Sequence, residues 1–250
     1  MQISAKELRH LANDVDDMHH EAMRNFKQEA SELHLGARRS FLKKAGIAGV
    51  GGTLLTAGGG LATFTRLGGL AAAQDGALTD TVIAGYAQSI ELAAVAAYTA
   101  AAPKLSGDVL AVATMFAGHH QQHADAFGEV AGDDARPEAN AKLVEVVTPT
   151  LTAVGAAEPS EALTAEILGF AKVVENQAAY TYAAALTLLT DPAYAAATST
   201  ILPIEAQHAT VLSLALGETP DMWFPTGAFE SSALGDGTDP LKGYDPAVFA

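Results

Sequence analysis

Long stretches of the chain place apolar residues at three- and four-residue steps, the period of a helix with one buried face. The first such stretch after residue 74 runs from about Leu78 to Ala102, opening at Thr79 or Asp80 and closing before Pro103. The second runs from about Gly107 to Ala131 and stops at Gly132. The third starts after Ser160, whose hydroxyl suits a helix cap, and continues to about Thr190. The fourth begins at Asp191-Pro192, a cap residue followed by proline at the first helical position, and ends at Leu216-Gly217. Between the second and third lies a connection broken by Pro137, Pro149, Gly155 and Pro159, in which Lys142–Val147 is expected to form a short element. Two helix pairs with short internal loops and one long connection predict an all-α bundle of two antiparallel hairpins with a crossover.

Polar residues inside the apolar runs alter this picture of a plain bundle. Glu91, Glu175, Glu205, His120, His123 and His208 each interrupt a stretch that otherwise reads as core, near the middle of its helix. Residues three apart lie about 60° apart around a helix. His120/His123 and Glu205/His208 can therefore each aim two side chains into one site, with Glu91 and Glu175 reaching in from the other helices. A buried carboxylate without a partner is costly, so three of them with three histidines at matching levels point to a shared metal site. Carboxylate and imidazole donors suit iron, with manganese as the alternative. His119 is a rival to His120, because His119 and His123 are four apart and also share a face. Tyr98 and Tyr182 each follow a glutamate by seven residues. Either tyrosine is placed to stand behind the ligands, although packing alone accounts for both. The matching spacings in the two hairpins suggest an internal duplication.

This arrangement resembles the ferritin-like superfamily, whose di-iron members take one Glu from each of two helices and a Glu-x-x-His from each of the other two. The resemblance spans about residues 78–217 and implies a di-iron oxidoreductase that reacts with oxygen or peroxide. Under it, Glu91 and Glu175 would bridge the metals and His123 and His208 would be terminal ligands. His120 departs from it, standing where the superfamily has Glu. Three Glu with three neutral His carry one negative charge fewer, which also leaves open a non-catalytic module with a structural or degenerate site.

The chain before and after the bundle differs in character. Residues 37–44 read Ala-Arg-Arg-Ser-Phe-Leu-Lys-Lys, and Ala45 to Phe64 contain seven glycines and no charge. Arg38 and Arg39 open a segment that resembles a twin-arginine export signal, with cleavage expected after Ala73. That resemblance implies the twin-arginine translocation machinery as a partner, a bacterial protein exported across the cytoplasmic membrane, and no stable membrane anchor once cut. Residues 1–36 show a short amphipathic pattern through Leu8, Leu11, Val15, Met18, Ala22 and Phe26. His10, His19, His20 and His34 in it are expected to be surface residues of a discarded leader. The domain order expected is thus 1–36 extension, 37–73 signal, 74–217 bundle and 218–250 an irregular tail built around Trp223.

Charge and composition narrow the partners. Residues 74–250 hold five Lys/Arg against 22 Asp/Glu, a net charge of −17. Such a body repels phosphate backbones, so no nucleic-acid partner is expected. The absence of cysteine excludes disulfides and thiolate sites. A homo-oligomer is compatible with the sequence, and a storage shell is the weakest of the three readings.

Overall fold

The computed structural model describes residues 3–47 and 78–219, with two short segments at 234–235 and 243–244. Among these, six α-helices dominate: α1 (Ala5–Ile47), α2 (Asp80–Ala101), α3 (Gly107–Ala131), α4 (Ala141–Ala156), α5 (Glu161–Ala185) and α6 (Pro192–Ala215). Helix α2 packs along α3, and α5 along α6. Two-residue strands β1 (Leu234–Gly235) and β2 (Gly243–Tyr244) pair in parallel and lie against α5. Trp223, the expected signal segment from residue 48 onward and the expected cleavage position lie outside the described residues. No described helix is long and apolar enough to cross a membrane.

Local chemistry sets the helix ends where the caps predicted them. Thr79, Ser160 and Asp191 each accept a backbone N–H of the first turn, from Val82, Leu163 and Ala193. Asp80 does a second job. Its carboxylate accepts the N–H groups of Thr190 and Asp191 at 2.9 and 2.7 Å, pinning the α5–α6 connection to the start of α2. Gly85 is required by a close approach: a Cβ there would stand 2.0 Å from the Asp134 carbonyl oxygen. Alanine on the buried face of α2 (Ala84, Ala87, Ala93, Ala94, Ala97) leaves little side-chain bulk between it and its neighbours.

Four expectations change. The element expected at Lys142–Val147 is the longer helix α4, which starts at the Asn140 cap, runs through Pro149, and covers α2 with Leu143 and Val147. Helix α5 ends at Ala185 rather than near Thr190, and turns follow. Pro203, from which the sequence predicts a kink in the last helix with Thr198, Ser199 and Thr200 helping to satisfy the freed carbonyls, lies inside α6, and the hydroxyls of Ser199 and Thr200 bond the carbonyls of Ala196 and Ala197, not the Ser199 carbonyl that a proline at 203 frees.

The fourth change is the largest. The amphipathic N-terminal stretch is helix α1, which packs along α6 and α3 as an integral part of the bundle. Leu8, Ala12, Val15, Ala22, Met23, Phe26 and Ala30 are all buried. Phe26 meets Phe127 edge-to-face at 5.4 Å between centroids. His10 and His20 are exposed as expected, but His19 is completely buried. The reason is register: His19 shares the inward face with Ala12, Val15, Ala22, Met23 and Phe26. Two core clusters result, one around Val15, Tyr98, Phe116 and Leu212, the other around Phe26, Phe127, Tyr182 and Ile201.

Candidate metal centre

The six polar residues singled out from the sequence converge between those two core clusters. Glu91 comes from α2, His120 and His123 from α3, Glu175 from α5, and Glu205 and His208 from α6; all are essentially inaccessible. Their donor atoms form two groups of four, each with all atoms within 4.8 Å of one another. One group is Glu91, His120, His123 and Glu205; the other is His120, Glu175, Glu205 and His208. His120 and Glu205 belong to both. The two groups therefore meet at the first members of the two i, i+3 pairs, and Glu91 and Glu175 each belong to one group.

Distances show how the groups are joined. His120 Nδ1 lies 2.6 Å from Glu91 Oε2, and its Nε2 lies 3.1 Å from Glu175 Oε1. His208 Nδ1 lies 3.2 Å from Glu175 Oε2 and 3.3 Å from Glu205 Oε2. His123 Nδ1 is 2.9 Å from Glu205 Oε1 and 3.5 Å from Glu91 Oε1. Yet neither oxygen of Glu205 and neither nitrogen of His123 has a hydrogen-bond partner in acceptable geometry. Proximity without alignment is what ligands aimed at a common point display, and buried carboxylates and imidazoles of this kind fit a cation.

Both tyrosines have a role beyond packing. Tyr98 donates its O–H to Glu175, and Tyr182 donates to Glu91. Each thus serves the glutamate of the opposite hairpin. Seven residues advance a helix by about 10.5 Å, so each hydroxyl lies well beyond its own helix's glutamate. Burial, with the facing glutamate adding to it, raises both phenols well above their ordinary value, so they remain donors.

His119 lies outside both groups but in contact with one. Its Nδ1 is 3.0 Å from His208 Nε2, and its Nε2 is 2.9 Å from Asp16 Oδ1 on α1. A single tautomer pattern satisfies the row: His208 Nε2–H donates to His119 Nδ1, and His119 Nε2–H donates to Asp16. His208 Nδ1 then faces Glu175 and Glu205 and donates to Glu175, and the row holds the imidazole in that orientation, as an outer carboxylate does for a histidine that meets a metal. Asp16 is a site residue that the sequence analysis missed. Its signal is the Asp16/His19/His20 spacing of i, i+3, i+4 on one helix face.

Electrostatics divide the histidines into two sets. Burial opposes charge on His120, His123 and His208, but the surrounding carboxylates win. His123 is raised to about 9, chiefly by Glu91, and His120 and His208 are also raised. Burial likewise works against the Glu91 carboxylate, yet the His123 and His120 charges hold it down to about 2. His19 and His119 behave oppositely. Burial and repulsion from neighbouring imidazoles push His19 down to about 2 and His119 to about 3, so both are neutral.

Fold and site together define a ferritin-like helical domain with a buried carboxylate–imidazole centre. A family model described as "Ferritin-like domain" matches residues 79–218, more than half of the chain, and the protein belongs to that family. No curated protein and no solved structure matches it.

Proposed function

We propose that the protein is a dinuclear metal oxidoreductase whose centre holds two iron ions and reacts with oxygen or peroxide. The observation that carries this reading is the pair of four-donor groups sharing His120 and Glu205. One group would hold one ion through Glu91 and His123, the other would hold the second through Glu175 and His208, and Glu205 is available to either. Bound iron would polarise the oxidant and supply its electrons. The chain's own residues prepare the place for this chemistry. Tyr98 and Tyr182 fix the glutamates, and the His119–Asp16 row orients His208. Buried Phe116, Ile201 and Ile204 exclude bulk water.

The test is elemental analysis after anaerobic iron reconstitution. The wild type is expected to hold about two irons per chain more than Glu205→Ala, and Glu91→Ala or Glu175→Ala about one more than Glu205→Ala. A wild-type chain that retains no iron while remaining folded overturns the reading. Oxidation of the loaded protein by oxygen or peroxide, followed by absorbance, tests the redox step.

A second reading, a non-catalytic ferritin-like module, is favoured by His120. Both its nitrogens already contact carboxylates, so it links Glu91 to Glu175 as an internal cation. The Arg38-Arg39-Ser-Phe-Leu-Lys run supports export of the domain as part of either reading.

A further inference from the structure

Outside the buried centre, a third group of ligand-type side chains lies together on α1. Asp16, His19 and His20 offer one donor atom each, all within 4.8 Å of one another. Spacing of i, i+3 and i+4 puts the three on one face of α1. They are graded in depth: His20 is exposed, Asp16 half-buried and His19 fully buried. His19 is the decisive residue. Both its ring nitrogens are buried without a hydrogen-bond partner, although its ring is stacked on His119 at 3.8 Å. Stacking fixes the ring plane and leaves the nitrogens free at its edge. His20 Nδ1 lies 2.7 Å from the Asp16 carbonyl oxygen; donating there leaves Nε2 as the acceptor a cation needs.

We propose that Asp16, His19 and His20 form a third divalent-cation site, separate from the buried pair and placed between that pair and solvent. Two imidazoles and one carboxylate suit Zn(II) or Fe(II), with open positions for water. The location gives the site a task. His19 lies 5.1 Å, ring centroid to centroid, from His123, a donor of the buried centre. An ion taken up at His20 from solvent therefore rests one imidazole away from the inner ligands. The cation site stands independently of the dinuclear reading; its task as a loading station rests on that reading.

Zn(II) alone is the probe, added to the chelator-treated full-length chain, with bound zinc counted by elemental analysis and calorimetric titration. About three ions per chain are expected for the wild type, and about two for His20→Ala and for His19→Phe, which keeps a ring in the stack. An inner-centre variant, Glu91→Ala/Glu205→Ala, retains one ion, and adding His20→Ala removes it. His10→Ala is the control: His10 also faces an aspartate, Asp14 at 3.4 Å, but is exposed and, among the described residues, has no buried histidine beside it in a three-donor group. Loss of the same ion in His10→Ala would make the binding adventitious and overturn the proposal. So would equal zinc in the wild type, His20→Ala and His19→Phe. One ion that depends on His20, with none in the inner centre, would uphold the site and sink the dinuclear reading. Stopped-flow filling of the inner centre is expected to slow at least tenfold in His20→Ala; an unchanged rate overturns the loading task.

Discussion

Replacing Phe26 with alanine tests whether α1 belongs to the cooperative core. Phe26 is 1% exposed and sits with Met23, Ala126, Phe127 and Ile201, its ring set edge-on to Phe127. Truncating so deeply buried a phenylalanine costs about 3–5 kcal/mol in lost transfer energy and cavity. For a chain of this size that lowers the thermal midpoint by roughly 6–20 °C. Within the total, the aromatic pair itself should account for about 0.5–1.5 kcal/mol, read from a double-mutant cycle with Phe127→Ala. The assay is urea unfolding of the full-length chain, followed by circular dichroism and by the near-ultraviolet signal of the buried tyrosines. If Phe26→Ala leaves the main transition unmoved, or removes only a small separate transition, α1 is an appendage and the packing argument fails.

Two further outcomes follow from the centre. In the chain freed of metal by chelation, His123 is raised from 6.5 to about 9, so its contribution to stability is complete below pH 6.5 and lost as pH rises through about 9. Urea midpoints of that form should fall across this window by an amount equivalent to roughly 3 kcal/mol, and those of the loaded protein should not; a flat profile in both would refute charged imidazoles. Tyr182→Phe removes the donor to Glu91 and is expected to cost about 1.5–3 kcal/mol of stability and to weaken metal retention about 10–100-fold; chelator competition that shows no change would confine Tyr182 to packing.

The six side chains that converge in the centre were legible because glutamate and histidine stand out against alanine-rich core, and the i, i+3 steps of His120/His123 and Glu205/His208 declare a shared face. The caps at Ser160 and Asp191 were equally readable, since they act within one turn. What escaped depended on neighbours distant in sequence. Position on α2 puts Tyr98 near the face of Glu91, but only the meeting of helices gives it to Glu175. The sharing of Glu205 and His120 between two groups is likewise a property of four helices together. Helix α1 showed its amphipathic pattern plainly, yet nothing in that pattern says what its apolar face covers. Pro149 disguised α4, because a proline reads as a break even where the surrounding packing tolerates it.

Helix α1 and the basic Arg38-Arg39 pair lie on one continuous helix, and that continuity has a topological consequence. In membrane translocation a basic leader stays on the side where it began, while the domain behind it crosses. If residues 37–73 direct such a crossing, Val15, His19 and Phe26 cannot remain seated on α3 and α6. Transport would then peel one wall from the domain and lay His119 and the outer edge of the centre open on the far side. Cutting the chain would make the parting permanent, since a tether that holds a segment at an effective millimolar concentration is gone once it is severed. On that route, the segment that seals the centre at birth is the one the protein leaves behind.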